Sequence, residues 1–108
     1  MSITLSSHVL DLDSGRPASG LAIALTRING DVVFEAVTDE DGRVSAKEVS
    51  VVSGEALNLR FATGAWYAGQ GSQCFYPHVD VNFLPDETGH YHVPLLINRH
   101  GYSTYRGS

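Results

Sequence analysis

Histidine is the residue type in this chain whose chemistry is best suited to neutral pH, and the sequence contains five. Imidazole has an ordinary pKa of about 6.5, so it can both accept and donate a proton near pH 7. His90 and His92 stand two residues apart, so they project from the same face of a strand. That spacing would suit a metal ion with a third ligand, but no further Cys/His spacing and no HExxH run supports a metal site. The alternative is one catalytic or buried imidazole beside a solvated one.

His92 is expected to share a strand face with Pro94 and Leu96, opposite the apolar row of Tyr91 and Val93. A polar imidazole among apolar neighbours costs free energy unless it is hydrogen-bonded. From the residues alone, His92 is therefore either a satisfied structural histidine or a site residue at a subunit contact.

Arg43 follows Gly42 at the end of an acidic turn. Its guanidinium either forms a weak surface ion pair with Asp39 or Asp41, or uses its planar fork to bind carbonyl and carboxylate-like oxygens. A calcium loop is excluded, because Gly42 does not fall at the glycine position of an EF-hand that begins at Asp39. Ser50 also stands where such a loop needs Glu.

The segment 101–108 (GYSTYRGS) continues directly from an apolar run and is expected to be held in place for use, since untethered ends are usually disordered. Tyr105 and Arg106 alternate faces if this segment is extended, so only one of them is expected to face a given pocket. Ser108 lies outside any GxSxG elbow and is not predicted to be an acyl nucleophile. Its hydroxyl and terminal carboxylate would suit it to orient a histidine or a water.

The segments that must position these side chains show apolar residues at almost every second position. This period of two predicts an all-β fold of about eight strands. The hairpin signal at 29–31 (NGD) predicts that two strands pair, and the glycine-flanked break at 63–71 predicts one short helix or compact loop. We expect a single domain over residues 1–108, built as two packed antiparallel sheets. The alternating rows are Leu21, Ile23 and Leu25; Leu57, Leu59 and Phe61; Val79, Val81 and Phe83; and Tyr91, Val93, Leu95 and Ile97.

The composition of the chain argues against two classes of function, nucleic-acid binding and membrane spanning. A formal net charge of −5 argues against a nucleic-acid partner, and apolar stretches of only a few residues argue against a membrane span. The lone Cys74 is expected to serve packing, and it fits a reducing compartment because it can form no internal disulfide. Without a secretory-type leader in the sequence, we expect a cytoplasmic protein.

Four motifs in order resemble the transthyretin-like 5-hydroxyisourate hydrolase family. They are 8–11 (HVLD, followed by Gly15 and Pro17), 41–43 (DGR), 91–96 (YHVPLL) and 105–108 (YRGS). The resemblance runs from about residue 3 to the last residue. His78 and His100 match no motif. Residues 98–100 (NRH) depart from the family's commoner Ser-Pro-aromatic segment, so the rim near the tail is expected to differ here.

The resemblance implies a transthyretin-like two-sheet antiparallel β-sandwich with one short helix, assembled as a homotetramer with sites at the dimer–dimer interface. It implies hydrolysis of 5-hydroxyisourate in urate degradation, by water attack on a ring amide carbonyl, without a metal or organic cofactor. His8 and His92 would handle protons, and which is the base stays open. Arg43 and His8 would contact the substrate, Tyr105 its ring, and Ser108 would serve positioning.

A rival expectation is a non-catalytic carrier of transthyretin type, which would hold a small aromatic ligand in the same channel. Such a channel should be lined mainly by apolar side chains, whereas this one would present His8, Arg43 and His92. A bare adhesive sandwich is a third possibility, and it predicts no small-molecule binding.

Overall fold

The computed structural model describes residues 1–108 and contains ten strands and one helix. The elements are β1 (Ser2–Asp11), β2 (Arg16–Pro17), β3 (Ala22–Arg27), β4 (Val32–Val37), β5 (Arg43–Ser50), β6 (Leu57–Phe61), α1 (Thr63–Ala68), β7 (Val79–Phe83), β8 (Gly89–His92), β9 (Leu95–Ile97) and β10 (Tyr102–Thr104).

Strand β1 is the centre of the first sheet, because four other strands pair with it. Its first half lies between β5, antiparallel, and β8, parallel. Its second half lies between β2, antiparallel, and β9, parallel, and β10 extends the sheet from β9. The second sheet has the order β4-β3-β6-β7 and is antiparallel throughout. The predicted two-sheet sandwich with one short helix is confirmed, with one difference: β8 and β9 run parallel to β1, because the chain crosses the second sheet before it returns.

The core lies between the two sheets and is filled by the inward-facing members of the predicted rows. Ile3, Leu5 and Val9 of β1 point inward and are almost fully buried, so the even-numbered residues of β1 face outward. The opposing sheet contributes the buried side chains of Ile23, Leu25, Leu57, Leu59 and Phe61. This alternation is what puts the polar side chains of β1 on an outer sheet face.

The apolar run 91–97 is divided into β8 and β9 instead of forming one strand. Pro94 has no N–H to donate to a ladder, so pairing is interrupted there. Tyr91 and Val93 are buried, while His92 and Leu96 are half-exposed on the opposite face. Apart from Pro94, which is buried instead of sharing the exposure of His92 and Leu96, the inner and outer faces are those predicted. The division raises the strand number above the expected eight.

Helix α1 occupies the predicted break and fastens the far end of β1. The hydroxyl of Tyr67 donates to the Asp11 carboxylate at 2.6 Å, and both residues are buried. Burial alone would raise the pKa of Asp11, but hydrogen bonds from Tyr67, Ser14 and the backbone outweigh it and lower the pKa. No helix in the structure is long and apolar enough to cross a membrane.

Candidate active site

His8 and Arg43 are direct cross-strand partners in the β1–β5 ladder. Side chains at such opposite positions have Cβ atoms about 4.5–5.5 Å apart. The four ion pairs within the chain all involve other residues, so the guanidinium of Arg43 is not paired with Asp39 or Asp41. A half-exposed imidazole and an exposed guanidinium thus stand side by side on the outer face of the first sheet.

The turn before Arg43 is shaped by Asp39 and Gly42. One carboxylate oxygen of Asp39 accepts the backbone N–H groups of Asp41 and Arg43, each at 2.9 Å. Gly42 has a φ of +74°, and a Cβ added there would lie 2.5 Å from the carbonyl oxygen of Val9. The acidic residue therefore orders the backbone of the turn, and the glycine lets the turn approach β1 closely enough to set Arg43 opposite His8.

His92 lies across β1 from Arg43, in parallel register with Ser6. The Oγ atom of Ser6 is 2.7 Å from Nδ1 of His92, and Nε2 of this ring has no partner within the chain. Burial lowers the pKa of His92 first, and the positive charges of His90, Arg43 and His8 lower it further. The neutral imidazole, which is the form that accepts a proton, is therefore favoured.

His90 is joined to the same group of side chains. Its Nε2 is 2.9 Å from Oγ of Ser6, and its Nδ1 is 2.6 Å from Oγ1 of Thr4. Nowhere in the chain do three histidine, cysteine or carboxylate side chains cluster closely enough to hold a metal ion. Sequence reasoning missed Ser6 and Thr4. Their signal was the alternation that puts both on the face of His8, but the register with β8 is not visible in the sequence.

The tail segment is tied to His92 through Gly107. The N–H of Gly107 donates to the carbonyl oxygen of His92 at 2.8 Å, and the two residues form an isolated antiparallel bridge. A Cβ on Gly107 would overlap Cδ2 of the His92 ring and lie 3.1 Å from its Cγ. Only glycine allows this close approach, and Ser108 is the next residue along the chain.

Tyr105 and Arg106 both line one cavity of about 260 Å³, together with His92. This differs from the expectation for an extended segment, because β10 ends at Thr104 and the two residues that follow are not paired as a strand. The Arg106 guanidinium lies over the ring of Tyr91, 5.0 Å from its centroid, a cation–π geometry. The guanidinium of Arg106 thus stacks on the ring of Tyr91, whereas the side chain of Tyr105 is exposed.

The histidines without a motif lie apart from this group. His78 is 3.5 Å from a carboxylate oxygen of Asp80 on the second sheet. His100 belongs to the turn between β9 and β10, where its N–H donates to the Asn98 side chain at 2.8 Å. The departure at 98–100 therefore closes a turn, and Cys74 packs against the core as expected.

Comparisons with known proteins find relatives over almost the whole chain. Residues 5–107 match the model of the HIUase/Transthyretin family. A 5-hydroxyisourate hydrolase of Mesorhizobium japonicum is 42% identical, over 96% of this chain and 91% of its own length. The solved 5-hydroxyisourate hydrolase of Klebsiella pneumoniae superposes with a TM-score of 0.89 at 36% identity, covering 98% of this chain and 99% of that one. Sea bream transthyretin in complex with thyroxine superposes with a TM-score of 0.82 at 25% identity, covering 95% and 93%.

Proposed function

The chain belongs to the HIUase/transthyretin family, and we propose that its function is the hydrolysis of 5-hydroxyisourate. It is a hydrolase that opens the substrate ring by water attack on an amide carbonyl, giving 2-oxo-4-hydroxy-4-carboxy-5-ureidoimidazoline. The observation that carries this function is that His8, Arg43 and His92 lie together on one outer sheet face. The relatives from Mesorhizobium japonicum and Klebsiella pneumoniae, which bear the name of this activity, support it.

His92 is the general base of the proposed mechanism. Its Nδ1 is engaged by Ser6 and its Nε2 is free, so one nitrogen is available to take a proton from the attacking water. The lowered pKa of His92 keeps that nitrogen unprotonated at pH 7. The same nitrogen returns the proton to the leaving ring nitrogen. Acid–base assistance of this kind contributes roughly 10²- to 10⁴-fold to a rate.

Arg43 and His8 stabilise the oxygen on which negative charge develops. The guanidinium has no ion pair to break before it binds the substrate, and its cross-strand partner His8 supplies a second donor. Donors fixed in advance at a developing oxyanion are among the largest contributions to catalysis. Tyr105 contacts the substrate ring, and the hydroxyl of Ser108 orients the water. No step requires a metal or an organic cofactor.

The proposal includes a homotetramer with its sites at the dimer–dimer interface. Leu10 and Leu96 are register partners on the outer face that carries the histidines, and both are half-exposed in the isolated chain. Covering this face would bury them and exclude water from the site. Strands β7 and β10 each have one unpaired edge, which suits edge-to-edge pairing of two subunits.

A cytoplasmic location also belongs to the proposal. It is supported by the single cysteine of the chain, Cys74, which is unpaired, as is usual in reducing compartments.

The decay of freshly generated 5-hydroxyisourate, followed by ultraviolet absorbance, tests the function. Wild-type protein should accelerate the decay, and His92→Ala should lose roughly a hundredfold or more of that acceleration because it removes the base. The matched control is His78→Ala, since His78 lies on the other sheet and should leave the rate unchanged. Decay no faster than in buffer, from a folded wild-type protein, would reject the hydrolase and favour the carrier.

A further inference from the structure

Four polar side chains form one continuous hydrogen-bonded row on the outer face of β1 and β8. The row runs from Thr4 through His90 and Ser6 to His92, with successive distances of 2.6, 2.9 and 2.7 Å. The parallel register of β1 with β8 sets Thr4 beside His90 and Ser6 beside His92. In the proposed hydrolysis, His92 is the only member of this row that exchanges a proton with water or the substrate.

The row has a direction, because a serine hydroxyl carries a single hydrogen. Ser6 can donate to one imidazole and must accept from the other. When His92 bears its hydrogen on Nδ1, it donates to Ser6, Ser6 donates to Nε2 of His90, and Nδ1–H of His90 donates to Thr4. Nε2 of His92 then has a free lone pair, which is the state required of a base. The opposite direction puts the hydrogen of His92 on Nε2, which is the state required of an acid.

We propose that Thr4, Ser6 and His90 form a proton relay for His92, in which Ser6 passes a proton between the two rings and His90 holds it while the tetrahedral intermediate exists. This inference rests on the proposed hydrolase function. It assigns Ser6 and His90 as positioning residues that act through His92 and do not touch the substrate.

The transfers balance within the row. Nε2 of His92 takes a proton from water as the water oxygen bonds to the carbonyl carbon. The Nδ1 proton of His92 moves to Ser6, and the hydroxyl proton of Ser6 moves to Nε2 of His90. His92 is now neutral with its proton on Nε2, and His90 is the cation, still donating Nδ1–H to Thr4. When Nε2 of His92 protonates the leaving ring nitrogen, both internal transfers reverse and the row returns to its first state.

The surroundings favour a charge on His90 over one on His92. An imidazolium at His92 is half-buried and meets the positive charges of Arg43 from β5 and of His8 from β1. Arg106 of the tail lines the same cavity. His90 is exposed, so water can solvate the charge there.

Three variants separate relay from mere packing, with kcat, KM and the pH profile measured on 5-hydroxyisourate. Ser6→Ala should lower kcat by about 10- to 100-fold with KM within about threefold, since it breaks the row without touching the substrate. Ser6→Thr restores the hydroxyl and should stay within about threefold of wild type. His90→Gln keeps an amide that can bond to Ser6 but cannot hold a proton, and its kcat should fall by about tenfold or more.

The pH profile adds a readout that a structural role would not move. Loss of the His90 charge raises the pKa of His92, so the rising limb of kcat/KM in His90→Gln should shift to higher pH. Ser2→Ala is the matched control, because Ser2 lies exposed on the same face of β1 outside the row and should leave both kcat and the limb unchanged.

The outcomes distinguish failure of the relay from failure of the proposed hydrolase function. An active wild type whose His90→Gln variant keeps wild-type kcat and an unshifted limb overturns the relay alone. Unchanged kcat in a folded Ser6→Ala variant does the same. A wild type that fails to accelerate the decay overturns the hydrolase and the relay together.

Discussion

His92 illustrates how a single residue acquires its chemistry from what surrounds it. Burial, followed by the charges of His90, Arg43 and His8, lowers its pKa below the ordinary value of about 6.5. Since a base must be unprotonated, kcat/KM should rise with pH through this lowered pKa and be level near pH 7. The pH profile of the wild type checks this expectation.

The variant Arg43→Gln tests the cause of the lowered pKa, because it removes one of the positive charges that disfavour the imidazolium form of His92. The pKa of His92 should then rise, and the limb of kcat/KM should move to higher pH, in addition to a loss of rate from the missing oxyanion donor. A limb that stays in place, or moves to lower pH, would show that the guanidinium does not act on His92.

The requirement for glycine at position 107 can be tested by a single substitution. In Gly107→Ala, the added Cβ overlaps the His92 ring, so ring and tail must move apart. We expect a fall in kcat of about tenfold or more, because small displacements of a catalytic group are costly. In the control, Gly101→Ala, the nearest atom to the added Cβ is 3.9 Å away. Equal kcat in the two variants would contradict a fixed tail.

Among the elements, the turn between β4 and β5 links stability to the site. Gly20 and Gly42 both have positive φ, but only Gly42 faces backbone atoms of β1. Gly20→Ala should cost about 1 kcal/mol for the conformation alone. Gly42→Ala should cost about 1–3 kcal/mol more through overpacking, and it should also weaken catalysis by displacing Arg43. Urea denaturation of both variants measures the difference, and similar losses would show that the contact with Val9 is readily relieved.

The same elements show what can be read from the sequence. Period two identified the strands and their inner faces, because burial on one face imposes alternation. It did not identify partners, since a strand's pattern is the same whether its neighbour is parallel or antiparallel. The pairing of β1 with β8 therefore escaped prediction, and with it the contact of Ser6 with His92. The candidate site residues His8, Arg43 and His92 were predicted from motifs, which requires no knowledge of strand partners.

At the scale of the whole molecule, the proposed tetramer predicts that activity follows assembly. Leu96→Arg introduces a charge on the outer face that carries His92 and should yield smaller particles whose specific activity falls roughly a hundredfold. That activity should recover as protein concentration rises and the tetramer re-forms. Val37→Arg, on an exposed position of the other sheet, is the control. Full turnover by particles that light scattering identifies as monomers would exclude a shared site.

The central place of β1 also bears on how the molecule comes to be folded. Its contacts with β8 join residues 86 positions apart, such as Ser6 and His92, and loops of that length make folding slow compared with helical proteins. A nascent chain synthesised as far as β7 has β5 to pair with one side of β1 but nothing for the other. His8 and Arg43 can therefore pair early, but His92, the proposed base, can take its place beside β1 only after β8 has been made. Catalytic competence should therefore appear late in biogenesis and in one step, so that incomplete chains are inactive.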